Sequence, residues 1–259
     1  MESALQDFLT TSVFAFMLIF MRLGTAFMVM PGTGDSFVAP QVRLLFSLSV
    51  AFVLYPSLMP YIPDPLPNVF GMFSLIAMEF IIGLFFGGVS RIFMVALDTA
   101  GMVISTASGL GNAQVFNPTL ATQGSVVGSF LAVMGVTLLF VTNLHHLLIM
   151  GIYESYELFP LGSLPESGSM VEFLSRSLAA SFAIGVKFAA PYIVVMIMIY
   201  TGMGVLSRLM PQIQVFILAV PIQVLISIML MAMTLSAAML YWITNFEQGM
   251  IYFLRVIGA

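Results

Sequence analysis

Cysteine is absent from the 259-residue chain, tryptophan and lysine occur once each, and charged residues make up only 7%. Without cysteine there is no disulfide, no thiol nucleophile and no cysteine-ligated metal or iron–sulfur site. The shortage of charge excludes an ordinary soluble domain, in which roughly 25% of residues are charged and polar side chains cover the surface. A formal charge of −4 with no Lys/Arg cluster excludes a phosphate-binding surface for nucleic acid. The opening residues MESALQDF carry Glu2 and Asp7 where a secretory signal carries positive charge, so the first hydrophobic segment is expected to be retained.

What the chain has is apolar length: 61% of its residues are hydrophobic. A membrane-spanning helix needs about 20 apolar residues, and residues 44–63, 188–207 and 209–246 contain no charge at all. The longest uncharged run, Thr99 to Tyr153, is 55 residues. That exceeds one helix, and its middle, GLGNAQVFNP at 109–118, favours a turn or unwound loop. Hydrophobic segments are thus expected at about 8–30, 42–60, 69–108, 124–151, 176–207 and 213–243. Between them lie a Pro/Gly break at 31–40, a PSLMPYIPDPLP linker, an acidic loop with Glu154, Glu157, Glu166 and Glu172, and a turn from Arg208 to Pro211. The expected class is all-α, an integral membrane-type protein with about six hydrophobic segments, because continuous apolar runs do not suit a lipid-facing barrel. Arg22, Arg43, Arg91 and Arg208 are assigned to one set of segment ends, and Asp64 and the acidic loop to the other. By the positive-inside rule both termini then lie outside. No tandem repeat occurs at a fixed period.

Several constellations invite chemistry. Glu79 lies between uncharged stretches at 65–78 and 80–90, so it is either a proton or cation site or a structural carboxylate bonded to a neighbouring helix or subunit. Asp98 and Lys187 raise the same question, and a pair among the three would make them structural. His145 and His146 are adjacent, which directs their side chains about 100° apart on a helix and disfavours a shared metal; no metal site is expected. Thr-Ala-Ser-Gly at 106–109 has the Ser-Gly of intramembrane serine proteases, with Ser108 as nucleophile and His145 or His146 as base, but lacks the first glycine and also suits small residues packing between helices. The 22 methionines are either a deformable seal or ordinary apolar filling. Irregular backbone at membrane depth is tolerated where protein buries it or where it lines a cavity, which makes 109–118 a pore loop, gate or plug; outside the bilayer it is a surface connection.

The stretches MEFIIGLFFG (78–87), DTAGMVIS entering the Gly-rich loop, VFNP (115–118), LFVTNLHHLLI (139–149), SYELFPLG (155–162) and SRLMPQIQVFILAVPIQ (207–223) follow one another in an order and spacing that resemble the FliR family. This family is the R-type subunit of the flagellar and type III secretion export gate. The resemblance covers essentially the whole chain, 1–259, as a single subunit domain. It implies a non-enzymatic subunit without cofactor, packed in a helical hetero-oligomeric pore with P-type and Q-type subunits (FliP and FliQ families), with the B-type switch subunit (FlhB family) nearby. Unfolded flagellar proteins are the implied cargo. The implied location is the bacterial inner membrane, within the flagellar basal body, with the assembled gate raised towards the periplasmic side.

Carried over by position, the family's plug loop is Gly109, Leu110, Gly111, Asn112, Val115, Phe116, Asn117 and Pro118. Relatives often have an aromatic where this chain has Asn112, which shifts the implied seal to Val115 and Phe116; they often have Gly where this chain has Leu144. Glu79, Asp98, Lys187 and Arg208 are the expected buried charges or inter-subunit contacts. Two rivals remain at this stage. In a secondary transporter or channel, Glu79, Asp98 and Lys187 are coupling sites, although no clear inverted repeat supports it. In an intramembrane protease, Ser108 is essential.

Overall fold

In the computed structural model, the residues described are 2–62, 68–111, 125–162, 167–210 and 215–257. Among them are seven α-helices, one short 3₁₀ turn (Met59–Tyr61) and no strand. The helices are α1 (Glu2–Val29), α2 (Pro40–Leu58), α3 (Val69–Ala107), α4 (Val126–Val141), α5 (Leu144–Leu158), α6 (Ser167–Leu209) and α7 (Val215–Ile257). Five helices are long and apolar enough to cross a membrane, or six spans if α4 and α5 count as one broken span. The all-α, membrane-type expectation therefore holds.

Local chemistry sets several boundaries. Pro40 opens α2 at a position where its missing N–H is no loss. Ser125 caps α4 by accepting the Gly128 N–H. Gly109 adopts φ 77° just past the end of α3, the left-handed geometry that commonly stops helices. The observed helices also correct three expected boundaries. Segment 124–151 is two helices separated at Thr142–Asn143, where Asn143 has φ 60°. The acidic loop is largely helical, with Glu154 and Glu157 in α5 and Glu172 in α6, where it pairs with Arg176 one turn on. Charge marks solvent access there; it does not mark an irregular backbone. For the same reason α7 continues past Asn245 and Glu247 to Ile257.

The chain divides into two compact units. The first comprises Met1–Ile92, Asn143–Arg176 and Met250–Ala259. In it, α1 presents Phe14, Leu18, Leu23 and Phe27 to the core, all buried at helical spacing. Gly83 and Gly87 allow α3 to lie against the α1 backbone: a β-carbon at Gly83 would meet the Thr25 hydroxyl and the Arg22 carbonyl, and one at Gly87 would stand 2.7 Å from the Ala26 carbonyl. Phe253 anchors an aromatic cluster, with ring centroids 4.9 Å from both Phe86 and Phe173.

The second unit comprises Phe93–Thr142 and Ser177–Gly249. Its largest buried side chain is Trp242, whose indole N–H donates to the Phe93 carbonyl at 3.1 Å. This unit is likewise built on close helix approaches. Gly185 of α6 faces the Ala96 carbonyl and Thr99 of α3, and Gly135 of α4 faces Leu97, Met94 and Trp242. Small residues permit this packing, which in an apolar environment supplies much of the helix association.

Candidate functional site

Glu79 is buried, and its partner is Arg22. Arg22 Nε donates to Glu79 Oε2 at 2.6 Å and Nη2 to Oε1 at 2.7 Å, a bidentate pair in which both side chains are almost wholly shielded. The remaining guanidinium protons are also used. Nη1 donates to the Ser155 carbonyl at 3.0 Å and to its hydroxyl at 3.1 Å, and Nη2 donates to the Phe159 carbonyl at 3.0 Å. All five donors of Arg22 are thereby satisfied. Its guanidinium carbon lies 3.9 Å from the centre of the Tyr156 ring, adding a cation–π contact. Because Ser155 and Phe159 sit at the C-terminal end of α5, the arginine also supplies a positive charge where helix carbonyls run out of partners.

Glu79 is thus held by an ion pair joining α1, α3 and α5, as the structural alternative anticipates, with Arg22 in place of Asp98 or Lys187 as its partner. Arg22 is fully buried inside α1. It does not mark a segment end, so it drops out of the charge count used to orient the chain. A second marker, Arg91, makes an ion pair with Asp35, whose other oxygen accepts the Gly32 N–H at 2.8 Å and orders the turn between α1 and α2. Sequence reasoning did not pair Arg22 with Glu79, yet the signal exists. An arginine inside the apolar run of α1 is as anomalous as a glutamate inside that of α3, and opposite anomalies are natural partners.

The other charges behave differently. Asp98 on α3, Lys187 on α6 and Arg208 in the last turn of α6 are all exposed. Ser108 is buried, and its hydroxyl donates to the Ser105 carbonyl of its own helix at 3.3 Å. The imidazoles of His145 and His146 do not diverge as their adjacency suggests: the ring centroids are 4.1 Å apart. Among the described residues no three His, Asp or Glu side chains converge as a metal site would require.

Of the plug-loop residues, Gly109, Leu110 and Gly111 are described; Asn112, Val115, Phe116, Asn117 and Pro118 lie outside the described residues. The left-handed turn at Gly109 lets the Gly111 N–H return to the Ser105 carbonyl at 2.9 Å. Both glycines are therefore part of a helix stop. They complete the hydrogen bonding at the end of α3. On the far side of the segment, Ser125 both caps α4 and donates its hydroxyl to the Gly101 carbonyl of α3 at 2.9 Å. A β-carbon at Gly101 would overlap the Gly128 backbone, so α3 and α4 touch main chain to main chain there.

A family model described as bacterial export proteins, family 1, matches residues 13–249. The chain belongs to that family. The flagellar biosynthetic protein FliR of Caulobacter vibrioides is 35% identical over 91% of this chain and 94% of its own length. FliR of Bacillus subtilis is 26% identical over 86% of each chain, and the Yop proteins translocation protein T of Yersinia pestis is 27% identical over 87% of each. Family 1 membership, with these relatives and with the apolar helices, makes this chain an inner-membrane subunit of an export apparatus of the flagellar and type III kind.

Proposed function

We propose that this chain is the R-type subunit of a flagellar export gate, in which the whole of 1–259 acts as one subunit. The observation that carries the reading is the family match over 13–249, and the 35% identity to a flagellar relative favours the flagellar branch over the secretion branch. The subunit assembles with P-type and Q-type partners into the pore, beside the B-type switch subunit, and unfolded flagellar proteins pass through. Residues 109–118 plug the closed passage, with Val115 and Phe116 as the seal. Such a passage holds back ions by apolar contacts that exclude water and opens when they are displaced.

Two structural features support this reading. Helices α6 and α7, at 43 residues each, are about twice the length a span requires. That suits a gate in the basal body standing partly above the bilayer, towards the periplasm. Exposed apolar side chains such as Leu45, Phe52, Leu225 and Met233 suit contacts with partner helices and lipid. Asp98, Lys187 and Arg208, all exposed, are the proposed inter-subunit contacts. The transporter reading loses its central group, because both oxygens of Glu79 are engaged by Arg22.

The test is purification of the tagged protein from its native membrane in mild detergent. Two small, hydrophobic partner subunits recovered at fixed ratio are expected. A homo-oligomer free of such partners would overturn the proposal.

A further inference from the structure

The contacts flanking the proposed plug point to a clamp that is separate from the seal itself. Gly101 and Gly128 bring the end of α3 and the start of α4 into backbone contact, and the Ser125 hydroxyl bridges the two helices by accepting from Gly128 N–H at 3.2 Å and donating to the Gly101 carbonyl at 2.9 Å. Ser125 is buried, so no solvent competes for these bonds. We propose that Ser125 is a positioning residue that holds the two stems of the 112–124 segment together, and that ion tightness of the passage depends on this clamp. The second half of the statement rests on the plug reading.

The glycines make the clamp asymmetric. A methyl group at Gly101 would collide with the Gly128 main chain and drive the stems apart. One at Gly128 would stand 3.4 Å from the Asp98 carbonyl, an ordinary contact. Gly101→Ala is therefore expected to loosen the clamp, while Gly128→Ala leaves it intact. Ser125→Ala removes both the cap and the bridge. Ser125→Gly removes the bridge while weakening the cap less than alanine does, so it remains informative where Ser125→Ala fails to assemble.

With no cysteine in this chain and any partner cysteines replaced, the test runs directly in the full assembled complex. Met102→Cys and Val126→Cys, both exposed positions on the two stems, carry a pair of spin labels. Ser125→Gly and Gly101→Ala are expected to broaden the inter-label distance distribution, with Gly128→Ala and Ser125→Thr unchanged. An unchanged distribution in both Ser125→Gly and Gly101→Ala would overturn the clamp. Ion conductance of membranes holding the same variants, with deletion of 110–117 alongside, separates the two ideas. Leak in Ser125→Gly with assembly intact supports the dependence of the seal on the clamp. Broadening without leak, where the deletion leaks, overturns that dependence. A deletion that does not leak overturns the plug reading, and the clamp then stands or falls on the distances.

Discussion

At the scale of the residue, the Arg22–Glu79 pair has the largest expected effect. Removing one member of a buried ion pair strands the other, which typically costs about 3–5 kcal/mol. Glu79→Gln is accordingly expected to lower the thermal stability of the purified complex and its level in the membrane. In many proteins a well-packed apolar pair replaces a buried ion pair without loss. Here Arg22 also donates to the Ser155 and Phe159 carbonyls, so the double replacement Arg22→Met with Glu79→Leu should recover only part of the loss, a difference that a thermal melt of the three variants resolves. Tyr156 offers the contrasting case. Its ring lies under the guanidinium, while its buried hydroxyl has no hydrogen-bond partner among the described residues. Tyr156→Phe keeps the ring and removes a group whose desolvation is uncompensated, and is expected to be neutral or mildly stabilising in the same melt.

At the scale of the element, two left-handed residues decide where helices stop and start. Asn143 has φ 60° immediately before α5, a conformation that costs most residues roughly 1–2 kcal/mol and glycine little. Asn143→Gly should be tolerated, whereas the β-branched Asn143→Val should lose about that amount in denaturation of the purified protein. The Pro/Gly-rich breaks and the uncharged runs made most helices legible in advance. The division of 124–151 was not, because an asparagine flanked by apolar residues reads as one more helical position. Its backbone state is set by how the chain packs on either side, which no local pattern records.

At the scale of the whole molecule, the apolar surface is the deciding quantity. The apolar window of α1 is 56% buried but that of α7 only 11%, so that stretch of α7 is left for lipid or partner subunits to cover. On the proposed gate reading, function at this scale is the barrier to ions. Deleting 110–117, or replacing Phe116 with Gly, is expected to raise membrane conductance severalfold while the partner subunits still co-purify; unchanged conductance in cells carrying either change would count against the plug. Ser108→Ala should leave export unaltered, since the Ser108 hydroxyl donates to a carbonyl of its own helix.

The sequence alone determined the class and the family. A chain with 7% charge and uncharged runs of 20 residues or more has no stable form in water except through helices that meet lipid or each other, and the order and spacing of its motifs along the chain carry the family resemblance. The tertiary structure alone decided which anomalies belong together. Arg22 and Glu79 lie 57 positions apart, and Ser125 reaches Gly101 across 24. Such pairings follow from how close two helix backbones come, and that distance is set by glycines on one helix meeting particular atoms on another, a relation that exists only once the chain is folded.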